Sequence, residues 1–162
     1  MKKRGQANVG MPIGMIFSLF LIAVFLVIAF IAVKSFLGTG RLSEIGIFYN
    51  DLQDTVDKAW QGQSGSKHFQ INLPSGIEKV CFADLNNPVI TPGQDYEHLR
   101  DFEVYDANVF LIPPQKAEGF EWHLIERINI TTITETRNPY CVDVEEGLTI
   151  KKGFYDKYIT IE

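Results

Sequence analysis

Histidine, cysteine and carboxylate side chains are the groups in this chain that could hold a metal or attack a substrate. The histidines His68, His98 and His123 lie 25 to 30 residues apart, so none has the HExxH spacing that places two ligands on one helix face. The sequence contains no Cys-x-x-Cys pair, no Gly-x-Ser-x-Gly elbow and no glycine-rich phosphate loop. We therefore predict no catalytic residues, no metal site and no cofactor, and a protein that is not an enzyme.

The two cysteines, Cys81 and Cys141, each lie in a strand-like run of apolar and β-branched residues. An even number of cysteines in an oxidising compartment predicts one disulfide. That bridge would close a loop of about 60 residues and add roughly 4 kcal/mol of stability in the chain-entropy model. Two separate buried thiols are the alternative, which a reducing compartment would favour.

The compartment is predicted by an uncharged apolar run at residues 11–33. At about 1.5 Å per residue this run forms a helix of roughly 35 Å, enough to cross a hydrocarbon core of about 30 Å. Lipid offers no partner to a bare peptide group, so the run must be helical. A cleaved secretory signal is the alternative, but its apolar core spans only about 7–15 residues.

Charge predicts how the chain crosses the membrane. Lys2, Lys3 and Arg4 precede the apolar run, and all 20 acidic residues follow it together with 12 of the 15 basic ones. A basic excess on the short N-terminal side keeps that side in the cytoplasm, so the C-terminal part lies outside the cell membrane. The external part carries 12 − 20 = −8 charges. That sign excludes nucleic acid as a partner, because phosphate binding needs basic surface.

After Gly38-Thr39-Gly40, which marks a break or a flexible point, an amphipathic helix is predicted from Leu42 to Gln61. Gly62 suits its C-terminal end. This helix would pack on its own domain or against neighbouring copies. The apolar residues that recur at spacings of three and four form its predicted helix contact face: Ile45, Phe48, Leu52, Val56 and Trp60.

Beyond a flexible linker at 61–66 the pattern changes to short alternating strands. We predict a hairpin of 69–73 with 77–84, a short helix at 92–104, and further strands, listed here: 108–112, 120–125, 127–132, 140–144, 148–152 and 158–162. The fold class is then α+β, with a small, mostly antiparallel β-rich extracytoplasmic domain. The predicted organisation is a leader at 1–10, a transmembrane helix at 11–36, a stalk with linker at 37–66 and an outer domain at 67–162.

The first 60 residues resemble archaeal type IV pilin-like proteins, single-pass membrane proteins that carry a class III signal. The resemblance rests on Lys2-Lys3-Arg4-Gly5-Gln6, the long apolar helix, its amphipathic continuation and a β-rich head. It implies a peptidase cut between Gly5 and Gln6, with the apolar helix retained in the membrane or at the centre of a filament.

These features predict a non-catalytic, single-pass surface protein, a pilin-like structural or assembly subunit that works through its outer domain. Its partners would be membrane lipid and either further copies of itself or an envelope protein. The alternative is a membrane-tethered monomeric binding module that recognises an envelope protein or glycan. An envelope enzyme is a third and remote alternative. Asn129-Ile130-Thr131 is a sequon, so Asn129 is a candidate glycosylation site, although the motif also occurs by chance.

Overall fold

The computed structural model describes residues 13–90 and 93–162 of the chain. It confirms the predicted α+β class, with a long N-terminal apolar helix followed by antiparallel sheets. The predicted processing site at Gly5 and Gln6 and the basic leader at 1–10 lie outside the described residues.

The chain divides into two compact units, residues 1–39 and residues 40–162. The second unit is called the head below. The predicted division between a stalk at 37–66 and a domain at 67–162 differs from this arrangement, because the second half of the helix belongs to the same unit as the sheets.

Helix α1 spans Ile13–Gln61 and runs through Gly38 and Gly40 without a break in its hydrogen-bonded pattern. It ends as predicted at Gly62, whose N–H donates to the carbonyls of Lys58 and Ala59 at 3.2 Å each. Glycine is common at this position because it tolerates the backbone conformations that close a helix. The ammonium of Lys152 donates to the carbonyl of Gly62 at 2.8 Å and so satisfies an acceptor just beyond the helix end.

The remaining elements are short. The strands are β1 Gly65–Phe69, β2 Lys79–Phe82, β3 Val109–Ile112, β4 Trp122–His123, β5 Tyr140–Asp143, β6 Leu148–Lys152 and β7 Thr160–Ile161. The other helices are α2 Gln94–Leu99, α3 Ile130–Ile133 and single 3₁₀ turns at Arg100–Phe102 and Pro114–Lys116.

Two antiparallel sheets form the head, a three-stranded sheet of order β1-β6-β7 and a four-stranded sheet of order β4-β3-β2-β5. The turn after β5 carries the chain from the four-stranded sheet to the three-stranded one, because β6 pairs with β1 and β7. Strands distant in sequence are therefore neighbours, as when Phe69 in β1 lies opposite Leu148 in β6.

The predicted hairpin of 69–73 with 77–84 is wrong. Strand β1 covers Gly65–Phe69 and so begins within the predicted linker at 61–66. It pairs with β6, whereas β2 pairs with β3 and β5. Residues 70–78 are not in a strand, although Ile71 is buried. Alternating apolar residues thus indicate an extended segment that packs on the core. They do not show that its backbone pairs with another strand.

The predicted strand at 127–132 is also wrong. Ile128 forms a single parallel bridge with Ile159, and the next residues turn into α3. The predicted helix at 92–104 is confirmed over α2 and the 3₁₀ turn at Arg100–Phe102, while Pro92 lies outside the described residues. The strands predicted at 120–125 and 158–162 shorten to the two residues each of β4 and β7.

The main apolar core lies between the second half of α1 and both sheets. Four of the five residues predicted as a contact face, Ile45, Phe48, Leu52 and Val56, are buried in it. They pack on their own head, which is the first of the two partners that the sequence leaves open for this helix. The helix stripe was correctly located, and its partner is intramolecular.

A second apolar cluster lies on the other face of the four-stranded sheet, where α2 and the following 3₁₀ turn contribute Leu99 and Phe102. The predicted disulfide is confirmed there: Cys81 in β2 lies directly opposite Cys141 in β5, with Cα atoms 4.0 Å apart. So short a separation is typical of a non-hydrogen-bonded pair in an antiparallel ladder, where the two Cα atoms lie about 4.5 Å apart. The bridge therefore joins the central strand β2 to the edge strand β5.

Replacing Leu52 by alanine should lower the free energy of unfolding of the head by about 2–5 kcal/mol, because it leaves a cavity between α1 and the sheets. Ile47 is the matched control: its side chain is 57% exposed on the same helix, so Ile47→Ala should change stability by less than about 0.5 kcal/mol. Guanidinium unfolding in detergent, followed by the fluorescence of Trp60 and Trp122, measures both. Equal effects of the two variants would contradict the burial of this face.

Reducing the Cys81–Cys141 bridge should destabilise the head by about 4 kcal/mol, since it frees a 60-residue separation in the unfolded chain. Cys81→Ala combined with Cys141→Ala should unfold at the same low guanidinium concentration with or without reductant. The wild type should move toward that midpoint only when reductant is added. A wild-type midpoint that ignores reductant would show that the bridge does not form.

Candidate functional site

The first surface that needs a partner is the apolar half of α1. Its large apolar side chains are 38–79% exposed between residues 15 and 36, around the whole circumference of the helix. A helix that is apolar all round requires an apolar environment outside itself. Ser18 is the one hydroxyl between residues 14 and 33, and it donates to the carbonyl of Met15 at 2.9 Å. The helix is long and apolar enough to cross a membrane.

Trp60, the fifth residue of the predicted contact face, lies at the far end of α1 and is 39% exposed. Its indole N–H donates to the carbonyl of Lys157 at 3.0 Å, and the guanidinium of Arg127 lies 4.5 Å from its ring centroid. Arg127 also donates to Asp57 at 2.7 Å. Trp60 therefore tethers two loops of its own head to α1, and one face of its ring is occupied by a cation.

Asn129 has a structural role that its sequon does not reveal. Its side-chain oxygen accepts the backbone N–H of Thr132 at 3.2 Å and so caps α3. Its own N–H donates to the carbonyl of Ile159 at 2.7 Å, which joins this turn to the strand region before β7. Asparagine is among the favoured N-cap residues because its oxygen satisfies a helix donor that has no other partner.

The three histidines lie on separate elements: His68 on β1, His98 on α2 and His123 on β4. His123 stacks on the ring of Tyr49 at 4.6 Å between centroids, and partial burial there lowers the pKa of its imidazole below the usual value. Within residues 13–90 and 93–162, no group of three or more histidine, cysteine or acidic side chains is arranged to hold a metal ion.

Two open polar grooves flank the sheets. One, of about 400 Å³, lies between α1 and the segment from Lys67 to Asn72. The other, of about 490 Å³, lies beside the disulfide, where Lys79 donates to Asp95 at 2.9 Å and Arg137 lines the wall. This hydrogen bond raises the pKa of the Lys79 ammonium, which keeps a cation in the second groove.

An acidic cleft of about 270 Å³ is formed where α2 meets the loop before β4. Its lining consists of three carboxylates, two other polar side chains and two apolar ones: Glu97, Asp101, Glu121, His98, Gln115, Phe102 and Pro114. Arg100 pairs with Glu97 at 3.4 Å on the exposed surface. Among the described residues, no basic side chain pairs with Asp101.

Residues 151–158, the last two residues of β6 and the turn that follows them, have the opposite character and are called the basic aromatic turn below. Phe154 and Tyr155 are 66% and 94% exposed and contact each other edge to face at 5.1 Å. The turn contains three lysines and one aspartate, a charge of 3 − 1 = +2 in a chain that is otherwise acidic. Asp156 accepts the N–H of Gly153 at 2.9 Å and so shapes the loop.

Sequence analysis did not single out this turn or the cleft. The sequence does carry a usable signal here, since lysines and aromatic residues cluster around a glycine outside any apolar period, in the run Lys151-Lys152-Gly153-Phe154-Tyr155-Asp156-Lys157-Tyr158. The cleft has no such local signal, because its residues come from α2 and a loop about 20 positions later.

Comparisons of the chain with protein-family models, with curated proteins and with solved structures find no match.

Replacing Asn129 by alanine should destabilise the head by about 1 kcal/mol, because the N–H of Thr132 loses its acceptor. Asn129→Asp keeps the cap but destroys the sequon, and Thr131→Ala destroys the sequon at an exposed position. If the residue acts as a cap, only the alanine variant lowers the guanidinium midpoint of protein made without glycosylation. A mass above that of the polypeptide in the wild type, absent in Thr131→Ala, would show that the site is also glycosylated.

Proposed function

We propose that this protein is a non-catalytic, single-pass, membrane-anchored surface protein, a pilin-like structural or assembly subunit that acts through its outer domain. The observation that carries the proposal is that the two halves of α1 have different surroundings. Its first half exposes apolar side chains on all sides, and its second half is built into the core of the head.

The exposed half supports an anchoring or filament-core role. Leaving more than a dozen large apolar side chains in water would be costly, since each buried one contributes roughly 1.5–3 kcal/mol. Lipid or the same helix from neighbouring copies would remove that surface from water. Both environments suit the segment 14–33, because its one hydroxyl, on Ser18, already donates a hydrogen bond to the backbone of the same helix.

The disulfide supports a head outside the cytoplasm. Bridges between cysteines persist in oxidising compartments and are rare where glutathione keeps thiols reduced. The basic residues Lys2, Lys3 and Arg4 lie on the short side of the apolar run, which is the cytoplasmic side by the positive-inside rule. Both arguments give the same orientation, with the N-terminus inside and the head outside.

The helix arrangement supports a pilin-like subunit in particular. One uninterrupted helix with an apolar half and an amphipathic half that packs on a β-rich head is the plan that the N-terminal resemblance implies. Because the amphipathic face is used within the head, contacts between subunits fall to the apolar half of α1 and to the exposed surface of the head.

The second candidate is a membrane-tethered monomeric binding module for an envelope protein or glycan. The polar groove beside the disulfide favours it, because Lys79, Asp95 and Arg137 place charged and hydrogen-bonding groups around an open volume of about 490 Å³. Recognition of a polar ligand depends on such fixed groups.

Intact mass of the protein purified from its native membrane tests the first candidate. A pilin-like subunit should lack Met1–Gly5 and start at Gln6, and Gly5→Val should block this cut because the peptidase needs a small residue there. Gly10→Val, the same change beyond the cut, is the matched control and should be processed. A mature protein that keeps residues 2–5 would contradict the pilin-like assignment and favour the tethered binding module.

A further inference from the structure

The basic aromatic turn exposes more apolar surface than any role within its own head requires. Tyr155 is almost fully exposed, and Phe154 contacts it rather than the core. The backbone of the turn is held in place, since Trp60 donates to the carbonyl of Lys157 and Lys152 donates to the carbonyl of Gly62. A fixed turn that presents exposed aromatic side chains is typical of a contact surface.

The charges of the turn indicate what it contacts. Lys151 pairs with Glu162 and Lys152 is bonded to carbonyls at the end of α1, whereas the ammonium of Lys157 lies 5.2 Å from the Tyr158 ring. Lys157, two residues after Tyr155, is thus a cation without a carboxylate partner among the described residues. Its natural counterpart is an acidic surface with room for an aromatic side chain.

The acidic cleft of the same protein has this character. Its lining combines three carboxylates with the apolar side chains of Phe102 and Pro114. Its volume of about 270 Å³ is just below the roughly 300–1,000 Å³ of pockets that take drug-sized ligands, which suits an inserted side chain. Aromatic anchors in a pocket with charges around them are the usual centre of a protein interface.

The two surfaces lie at different levels along the second half of α1. The turn is fixed beside Trp60, whereas the loop that carries Glu121 is fixed beside Tyr49, whose hydroxyl donates to the carbonyl of Phe120 at 2.9 Å. Eleven residues of helix separate these points, roughly 16 Å at 1.5 Å per residue. Because both loops are hydrogen-bonded to the helix, the turn cannot reach the cleft of its own head.

We propose that the basic aromatic turn of one copy docks into the acidic cleft of a second copy. This contact rests on the proposed function as an assembling subunit and specifies the surfaces that join the heads. It pairs two different patches, so a joined pair still has one free turn on one copy and one free cleft on the other, and further copies can add at both ends.

Light scattering or sedimentation of the full chain in detergent micelles tests the proposal. Association should weaken at least about tenfold between roughly 0.05 M and 0.5 M salt, since the Debye length falls from roughly 14 Å to roughly 4 Å and the attraction between the two charged surfaces is screened. Lys157→Glu, in the turn, and Asp101→Lys, in the cleft, should each weaken association by a similar factor, because like charges then meet. Tyr155→Ser should weaken it through lost apolar contact without changing charge.

Mixing the two charge variants gives the sharpest result. The Lys157→Glu protein keeps a normal cleft and the Asp101→Lys protein keeps a normal turn, so pairs of the two should form with wild-type affinity although neither variant associates alone. Lys67→Glu and Glu135→Lys make the same charge changes at exposed positions elsewhere on the head and should leave association unchanged.

Two results would overturn this contact. If assemblies persist in high salt and both charge variants associate like the wild type, the apolar half of α1 carries assembly; the docking is then wrong while the proposed subunit role stands. If the full chain is monomeric at every salt concentration, the docking is wrong, and a start at Gln6 or at Met1 in the intact mass decides separately whether the pilin-like role also fails.

Discussion

The burial of one face of α1 against both sheets is the contact on which the head depends. The strands are two to five residues long, and sheets this small need an apolar partner before they are stable. Leu52 and Val56 in the helix meet Val80 and Leu111 in the four-stranded sheet and Leu148 and Ile150 in the three-stranded one within a single cluster. Without the helix, the two sheets would share no common core.

That contact also decides what the rest of the helix can do. Since the amphipathic face is buried inside the head, it is not available to bind other copies. The apolar half of α1 remains exposed, and lipid or the same helix of another copy would remove it from water. The head adds the disulfide, which secures the opposite face of the four-stranded sheet where Leu99 and Phe102 form a smaller cluster. A small domain with limited core gains most from such a bridge.

Charge is distributed over the head in a way that its net value conceals. The part of the chain after residue 33 is acidic overall, yet its exposed aromatic residues at 154 and 155 lie in a segment with three lysines, and three carboxylates line a cleft together with two apolar side chains. Exposed apolar surface next to one sign of charge favours association with the other sign and disfavours random aggregation. This pattern supports the proposed contact between copies.

Local patterns in the sequence were enough to locate α1, the stripe from Ile45 to Val56, the strands β3, β5 and β6, and the pairing of the two cysteines. Each of these follows from periodicity, from length or from the presence of only two thiols. The partner of β1, the helical turn after Asn129 and the meeting of Trp60 with Arg127 were decided by the tertiary structure alone. The physical reason is that a pattern of apolar residues states which side chains must leave water, whereas the element that receives them is chosen by packing across the whole head.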